Sequence, residues 1–132
     1  MLGAMDADQA IADLTEISPQ VRDVVVIGSD GALAGTNAGT ARAEAVAQAA
    51  QQLLAAADDA RSAHGAGATA QLEAAANAGS VFVIRDADRV IAATTTPEPT
   101  VGLVFYDLKT CLRSIDEPRP RRRARKPDDA AA

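Results

Sequence analysis

Few side chains in this sequence are suited to chemistry. The chain has one histidine, His64, and one cysteine, Cys111, so a Cys/His zinc site or a Ser-His-Asp or Cys-His arrangement lacks the residues it needs. The glycines also lack the spacing of the Walker and Rossmann loops that hold phosphates. We therefore expect no catalytic residue, no metal ligand and no bound cofactor, and so a protein that is not an enzyme. An enzyme built on an acidic pair is the least favoured alternative, because no two carboxylates can be placed together.

Both of these single residues have a structural explanation. Cys111 falls on the apolar stripe of a predicted helix, where a free cysteine commonly packs as a small hydrophobic side chain. This favours a core position over a redox sensor. His64 lies at the predicted end of a long helix, where the partial negative charge favours an imidazolium. This favours helix capping over metal binding.

The length of the chain and its composition indicate one globular domain. The chain has 132 residues, of which 48% are hydrophobic and 23% charged, as is usual for such domains. Phe82, Phe105 and Tyr106 are the only aromatic residues, so the core must consist of aliphatic side chains and alanine. No apolar run approaches the ~20 residues that span a membrane. The first residues also lack the Lys or Arg of a secretory signal, so we expect a cytoplasmic protein.

The charge is divided unevenly along the chain. Residues 1–118 carry 7 Lys and Arg against 16 Asp and Glu, a net charge of -9, whereas residues 119–132 carry 6 against 2, a net charge of +4. The acidic body disfavours specific binding to nucleic acid. We predict a domain over residues 1–117 and a disordered basic tail over residues 118–132, which includes Arg121, Arg122 and Arg123. This tail is either only solvated or makes weak contacts with an anionic membrane or an acidic partner.

Hydrophobic periodicity and turn residues predict an α+β domain in the order α-β-β-α-β-β-β-α. Asp6 and Gln9 resemble a capping box at the start of the first helix, which should end near Ser18. The other predicted segments are strands at 24–27 and 32–34, a long helix at 40–64, strands at 69–75, 80–84 and 89–95, and a helix at 100–115. Residues 101–106 could instead form a strand, but apolar spacing of three and four over fifteen residues favours the helix.

This order of elements resembles the Roadblock/dynein light chain family. Three local segments contribute to the resemblance: Val24 to Ile27 leading into Ser29-Asp30-Gly31, the run from Gly79 to Asp86, and the terminal helix from Thr100 to Leu108. The resemblance implies a five-stranded antiparallel sheet, with the long helix on one face and the two terminal helices on the other. It also implies a homodimer, formed through the edge strand at 69–75 and the long helix.

The residues themselves suggest where such a dimer would form. Segment 69–75 has no proline or lysine to protect an exposed edge, and it contributes Thr69, Gln71 and Glu73. The helix adds a stripe of small residues, Ala45, Ala49 and Ala56, away from its predicted buried stripe of Val46, Ala50, Leu53 and Ala57. The alternative is that these alanines reflect only biased composition and helix propensity.

The resemblance implies a regulatory or scaffold role. Members of the family, bacterial ones included, act mainly on small Ras-like GTPases or as adaptor light chains, and generally are not enzymes. Arg85 and Arg89 flank a predicted hairpin tip and would either approach the partner's phosphates as an arginine finger or form a solvated cluster with Asp86 and Asp88. The alternative function is a small-ligand sensor of the PAS or GAF kind. Such sensors need a pocket lined by aromatic residues, and this chain has few aromatic residues to line one.

Overall fold

The structure, a computed structural model, describes residues 5–63, 65 and 67–115. Its elements are α1 (Ala7–Ile17), β1 (Val21–Ile27), β2 (Leu33–Thr36), α2 (Thr40–Ser62), β3 (Gln71–Ala76), β4 (Gly79–Asp86), β5 (Arg89–Thr95) and α3 (Val101–Ser114). The predicted α+β class and element order are confirmed. His64 and the predicted tail lie outside the described residues, so their proposed roles stay predictions.

The strands form one antiparallel sheet in the order β2-β1-β5-β4-β3. The hairpins β1-β2, β3-β4 and β4-β5 each join neighbours in sequence. The exception is the pairing of β1 with β5, which places Val24 opposite Ala93 and Val26 opposite Ile91. This non-local pairing joins the N-terminal hairpin to the C-terminal three-stranded meander and makes one sheet of them.

The sheet is covered on both faces. Successive side chains of a strand point to opposite faces, so the β-branched run in β1 supplies both cores. The face toward α1 and α3 buries Val24, Val26, Phe82, Ile84, Ile91 and Ala93. The face toward α2 buries Val25, Ile27, Val83, Val90 and Ala92. This confirms the expected arrangement, with the long helix on one face and the terminal helices on the other.

The buried stripe of α2 differs in part from the prediction. Val46 and Ala50 are buried as expected, but Ala43 and Leu54 complete the stripe. Leu53 is only half-buried at its border. The observed positions 43, 46, 50 and 54 keep to helical spacings of three and four, and Leu54, not Leu53, continues them from Ala50.

The caps of two helices use different groups from those predicted. At α1 the carboxylate of Asp6 accepts a hydrogen bond from the backbone N–H of Gln9 at 2.8 Å. The Gln9 side chain instead donates to Asp13 at 3.0 Å, so only half of the capping box forms. At α3 the predicted helix is confirmed, but the side chain of Thr100 makes no capping hydrogen bond. Its backbone N–H donates to Gln20 Oε1 at 2.6 Å.

Gly79 begins β4 and occupies a position that requires glycine. Its φ is +143°, and a Cβ there would overlap the carbonyl oxygen of Thr95. The turn from β3 into β4 therefore requires a residue without a side chain at this position.

Across the described part of the chain, no helix is both long and apolar enough to cross a membrane.

Candidate dimerisation and partner-binding surface

The two edges of the sheet differ in how they are protected. At β2, the α1 residue Asp8 accepts a hydrogen bond from the backbone N–H of Thr36 at 3.2 Å. The helix lies so close that a Cβ on Gly35 would be 2.6 Å from the Cβ of Ala7. At the opposite edge, β3 pairs with β4, and no described strand or helix hydrogen-bonds its outer side. β3 is therefore the edge available for pairing with another chain.

The register of β3 shows which backbone groups face outward. Leu72 pairs with Val83 and Ala74 with Val81, and the N–H of Arg85 donates to the carbonyl of Ala70 at 2.8 Å. Since hydrogen-bonded and non-hydrogen-bonded pairs alternate in an antiparallel ladder, the backbone groups of Gln71, Glu73 and Ala75 point away from β4. These residues present the donors and acceptors of the free edge.

The predicted interface residues of this segment lie in different surroundings. Gln71 is exposed, and Glu73 is half-buried and accepts a hydrogen bond from Ser80 Oγ at 3.1 Å. Thr69 precedes the strand, which begins at Gln71, and its side chain is only 7% exposed. Its backbone N–H donates to Asp58 at 2.7 Å. Thr69 therefore fixes the segment before β3 against its own subunit, whereas Gln71 and Glu73 lie on the edge strand itself.

The outer face of α2 continues the surface of this edge. Ala45, Ala49 and Ala56 are all exposed there, and no residue between Glu44 and Asp58 is charged. The helix packs over β1, β5 and β4. On the same sheet face, Leu72 and Val81 are only partly buried. The outer face of α2 and the adjacent margin of β3 and β4 thus form one surface of small, apolar and uncharged polar side chains, which we call the α2–β3 surface.

Arg85 makes an internal ion pair. Its Nη2 lies 2.8 Å from Asp58 Oδ1 and 3.0 Å from Oδ2, and it also donates to the carbonyl of Thr69 at 2.7 Å. The hydrogen bond from Arg85, with that from the Thr69 N–H, lowers the pKa of Asp58 from 3.8 to about 2. This network ties the C-terminal part of α2 to the start of β3 and to β4.

Arg85 therefore does not belong to the expected solvated cluster with Asp86, Asp88 and Arg89. Arg85 shares its strand face with Val83, toward α2, whereas Arg89 lies opposite Asp86 on the other face. Nη1 of Arg89 donates to the carbonyl of Ile115 at 3.2 Å, and Asp86 contacts Arg113 at 3.5 Å. The two arginines thus point in opposite directions, so they do not converge on one ligand within a subunit. The partner-binding role predicted for them stays a prediction.

Sequence reasoning missed Asp58, although a signal was present. A carboxylate in the last turns of a helix is unfavourable beside the negative end of the helix dipole. Asp58 and Asp59 both lie there, which indicates that at least one has a cationic partner. The partner, Arg85, is distant in sequence and could be identified only once the strands were paired.

The remaining candidate residues have no chemical site around them. Cys111 is 6% exposed, which confirms its core position; burial, with the charge of Asp13, raises the pKa of its thiol to about 11. Within residues 5–63, 65 and 67–115, no three His, Cys, Asp or Glu side chains are grouped as metal ligands. Arg121, Arg122 and Arg123 lie outside the described residues.

Comparison with solved structures shows the same fold. A Roadblock/LC7 domain from Streptomyces avermitilis superposes with a TM-score of 0.75 at 18% identity, over 83% of this chain and 94% of that one. MglB from Myxococcus xanthus gives 0.67 at 15% identity, over 82% and 83% of the two chains. An MglB with a tetrameric arrangement gives 0.70 at 10% identity, over 83% and 84%. At these identities the likeness concerns the fold.

The sequence itself carries the family assignment. No curated protein matches it significantly. The family model for the Roadblock/LC7 domain, however, matches residues 7–96, which extend from the start of α1 to the end of the sheet. This range covers more than half of the chain and contains all five strands, so the chain belongs to the Roadblock/LC7 domain family.

Proposed function

We propose that this protein is a non-catalytic, homodimeric regulatory or scaffold module that binds a small Ras-like GTPase. The observation that carries the proposal is the α2–β3 surface, an unprotected strand edge continuous with an uncharged helix face. Family membership supports the regulatory role, since Roadblock proteins act as regulators and adaptors. In this proposal the chemistry belongs to the partner. A cytoplasmic location and contact of the tail with anionic membranes stay predictions.

The α2–β3 surface suits pairing of two identical chains. In a two-fold dimer the same surface patch is used twice, so β3 would extend the sheet antiparallel into its copy while the two α2 helices pack together. Alanines at positions 45, 49 and 56 permit close approach of the helices, and no charge between Glu44 and Asp58 would have to be desolvated. The MglB neighbour with a tetrameric arrangement supports self-association as a property that this fold permits.

The proposed dimer would act on a GTPase by positioning the loops of the GTPase. A partner that holds switch loops in their ordered arrangement speeds hydrolysis without supplying a nucleophile or a metal. An arginine finger is less favoured in our proposal, since Arg85 would first have to leave Asp58 and the Thr69 carbonyl. Because both arginines already make contacts within the subunit, we favour a dimer that holds the switch loops in place over one that supplies an arginine to the phosphates.

The ligand-sensor alternative is not favoured by the positions of the aromatic rings. Phe82 is fully buried and packs edge-on against Phe105, with ring centroids 4.9 Å apart. Tyr106 is 67% exposed. These rings therefore do not line a shared pocket of the kind that such sensors use.

Ala49→Glu tests the helix half of the surface. Two glutamates brought together in a dimer repel and lose hydration, at a cost of several kcal/mol. Light scattering should therefore show twice 13.5 kDa for the wild type and 13.5 kDa for the variant. Ala12→Glu, on an exposed position of α1, is the matched control and should stay dimeric. Loss of the circular dichroism of the fold in Ala49→Glu would show that this stripe packs internally, contrary to the proposal.

Ala75→Pro tests the strand half. The N–H of Ala75 points away from β4 by the observed register, so proline there removes a donor for the second chain while the β3–β4 ladder keeps its hydrogen bonds. We expect weaker dimerisation with little loss of thermal stability at low protein concentration. An unchanged dimer dissociation constant would contradict pairing through β3.

The GTPase half of the proposal needs its own experiment. Affinity capture by the wild type, in the presence of GDP or a GTP analogue, should retain a small GTPase in a nucleotide-dependent way. Ala49→Glu should retain less of it, and Ala12→Glu as much as the wild type. Equal recovery in all conditions would contradict nucleotide-dependent binding of a GTPase. A metabolite that copurifies with a monomer would instead support a ligand sensor.

A further inference from the structure

A groove of about 180 Å³ lies between α1 and α3, on the sheet face opposite α2. Its floor is apolar and includes Ala10, Leu14 and Cys111. One end lies at Met5, which bridges to Ile115. Ile17, at the end of α1, also lines the groove and is 68% exposed. The groove is therefore a partly apolar channel that begins where α3 ends.

Asp107 in this groove has no partner among the described residues. Its side chain lines the groove and the residue is only 8% exposed, yet among the described residues it makes no hydrogen bond or ion pair. Its carboxylate oxygens still reach solvent, since the side-chain atoms that are buried without a partner in the described chain are Ser18 Oγ and Thr69 Oγ1. A cationic group from outside the described residues would therefore meet Asp107 at the mouth of the groove, where a partly enclosed ion pair is screened less than one on an open surface.

The surroundings of Asp107 are acidic as well. Asp13 lines the opposite wall, and its hydrogen-bond donor within the described part of the chain is the uncharged amide of Gln9. α1 and its cap carry Asp6, Asp8, Asp13 and Glu16 and no Lys or Arg. On α3, Arg113 is engaged with Asp86, and Lys109 is not among the lining residues. The groove therefore combines an apolar floor with a negative field.

We propose that residues 119–126 of the same chain dock in this groove, with an arginine paired to Asp107. This segment carries six cations and no acidic residue. Arginine fits such a groove because its methylenes cover apolar surface while the guanidinium binds a carboxylate in two-point fashion. The proposal concerns the α1–α3 face and does not depend on the dimer or on the GTPase.

The length of the segment suits this path. The described chain ends at Ile115, at the Met5 end of the groove, and residues 116–120 connect it to Arg121. Ten helical residues separate Ala7 from Ile17, about 15 Å. Five extended residues from Arg121 span about 17 Å. The arginine run is therefore long enough to follow the groove. While these arginines are docked, they are not available for the predicted contact with an anionic membrane.

Cys111 provides a direct measurement of the occupancy. It is the only cysteine of the chain and lies in the groove, so N-ethylmaleimide, a neutral reagent, labels the full-length protein at one place. Because Cys111 is only 6% exposed even without a docked segment, the reagent reaches it when this part of the fold opens locally. If opening requires the segment to leave and the groove is occupied nine-tenths of the time, labelling is slowed about tenfold. The protection should weaken as salt is added, since the contact is partly electrostatic.

Charge reversal in the full chain is the decisive comparison. R121E/R122E/R123E should label several-fold faster than the wild type, whereas R121K/R122K/R123K, which keeps the charge, should retain most of the protection. Asp107→Asn should also speed labelling in the wild type but not in the charge-reversed chain. Asp88→Asn, an exposed position at the β4–β5 turn, is the control for a loss of one negative charge elsewhere. Rates are compared at several pH values, because these changes also alter the thiol pKa.

Three results would overturn the proposal. The first is equal labelling of the wild type and the charge-reversed chain. The second is equal acceleration by Asp107→Asn in both backgrounds, which would mean that the residue acts on the thiol alone. The third is protection that disappears on dilution or in the Ala49→Glu background, which would assign the occupant to another copy of the chain. Protection that persists in monomeric Ala49→Glu supports docking within one chain, even if the dimer proposal fails at the α2–β3 surface.

Discussion

A network of hydrogen bonds connects α2, β4 and the segment before β3 through Asp58, Arg85 and Thr69. The guanidinium of Arg85 binds both oxygens of Asp58 and the carbonyl of Thr69, and Asp58 also accepts the N–H of Thr69. The side chains of Arg85 and Asp58 are 23% and 33% exposed, so solvent screens this pair less than it screens an ion pair at the surface. The network holds the chain just before the free edge strand and so links subunit stability to the proposed interface.

The pKa of Asp58 predicts an acid-dependent loss of stability. Folding lowers this pKa from 3.8 to about 2, so the unfolded chain binds the proton more readily than the folded chain does. Stability from this group is therefore complete above about pH 4 and is lost as the pH falls through 2. In Asp58→Asn, urea unfolding should show lower stability at neutral pH and a smaller change over this window. Asp59→Asn, at the neighbouring exposed position, should retain the wild-type slope; identical slopes in all three proteins would contradict the assignment.

At the scale of the elements, the two edge strands and the turns define what the sheet exposes. β2 is short, and α1 covers it through Asp8 and the close contact at Gly35. β3 has no such cover among the described residues, and Gly79 sets its turn into β4. One edge is thus protected within the subunit, and the other keeps its backbone groups available for a second chain.

Gly79→Ala should destabilise the β3–β4 hairpin. The new methyl would meet the carbonyl of Thr95 at a φ of +143°, a conformation that costs a non-glycine residue about 1–3 kcal/mol. Gly102→Ala is the matched comparison, since nothing lies within 4 Å of a Cβ in that helical position and alanine there should stabilise by about 0.5–1 kcal/mol. Urea midpoints measure both variants. A neutral Gly79→Ala would show that the turn relaxes without cost.

At the scale of the whole molecule, the surfaces proposed for self-association and for the basic segment lie on opposite faces of the sheet. The α2–β3 surface lies on one side of the sheet, and the α1–α3 groove on the other. A dimer would therefore leave two grooves free on its outer sides. In this arrangement the basic segment of each subunit can dock or leave without breaking the dimer.

Dimerisation also predicts a melting temperature that depends on concentration. When folding and association are coupled, a higher protein concentration favours the folded dimer by mass action. The wild type should therefore melt at a higher temperature as its concentration is raised, measured by calorimetry, and Ala12→Glu should behave likewise. Ala49→Glu should melt at a temperature independent of concentration. A wild-type melting temperature that is constant over a wide concentration range would contradict a dimer that contributes to stability.

Local patterns were sufficient to predict the order and type of the elements. The β-branched run at 24–27, the Asp-Gly turn and the helical spacing in the last segment each act over a few residues, and the structure confirms them. The burial of Cys111 followed from the same periodicity. The predicted buried stripe of α2 was partly wrong, because a shift of one residue along the helix replaces Leu53 by Leu54.

The sequence by itself thus determined the class of fold, the acidic body with its basic end, and the scarcity of side chains for catalysis. The tertiary structure alone decided that Arg85 binds Asp58, that Thr69 is buried before the edge strand, and that Asp107 lines a groove with no partner among the described residues. The physical reason is the separation along the chain over which each kind of interaction acts. Helix and strand propensities act between near neighbours, whereas these contacts join residues that are distant along the chain and meet only after β1, β4 and β5 have paired.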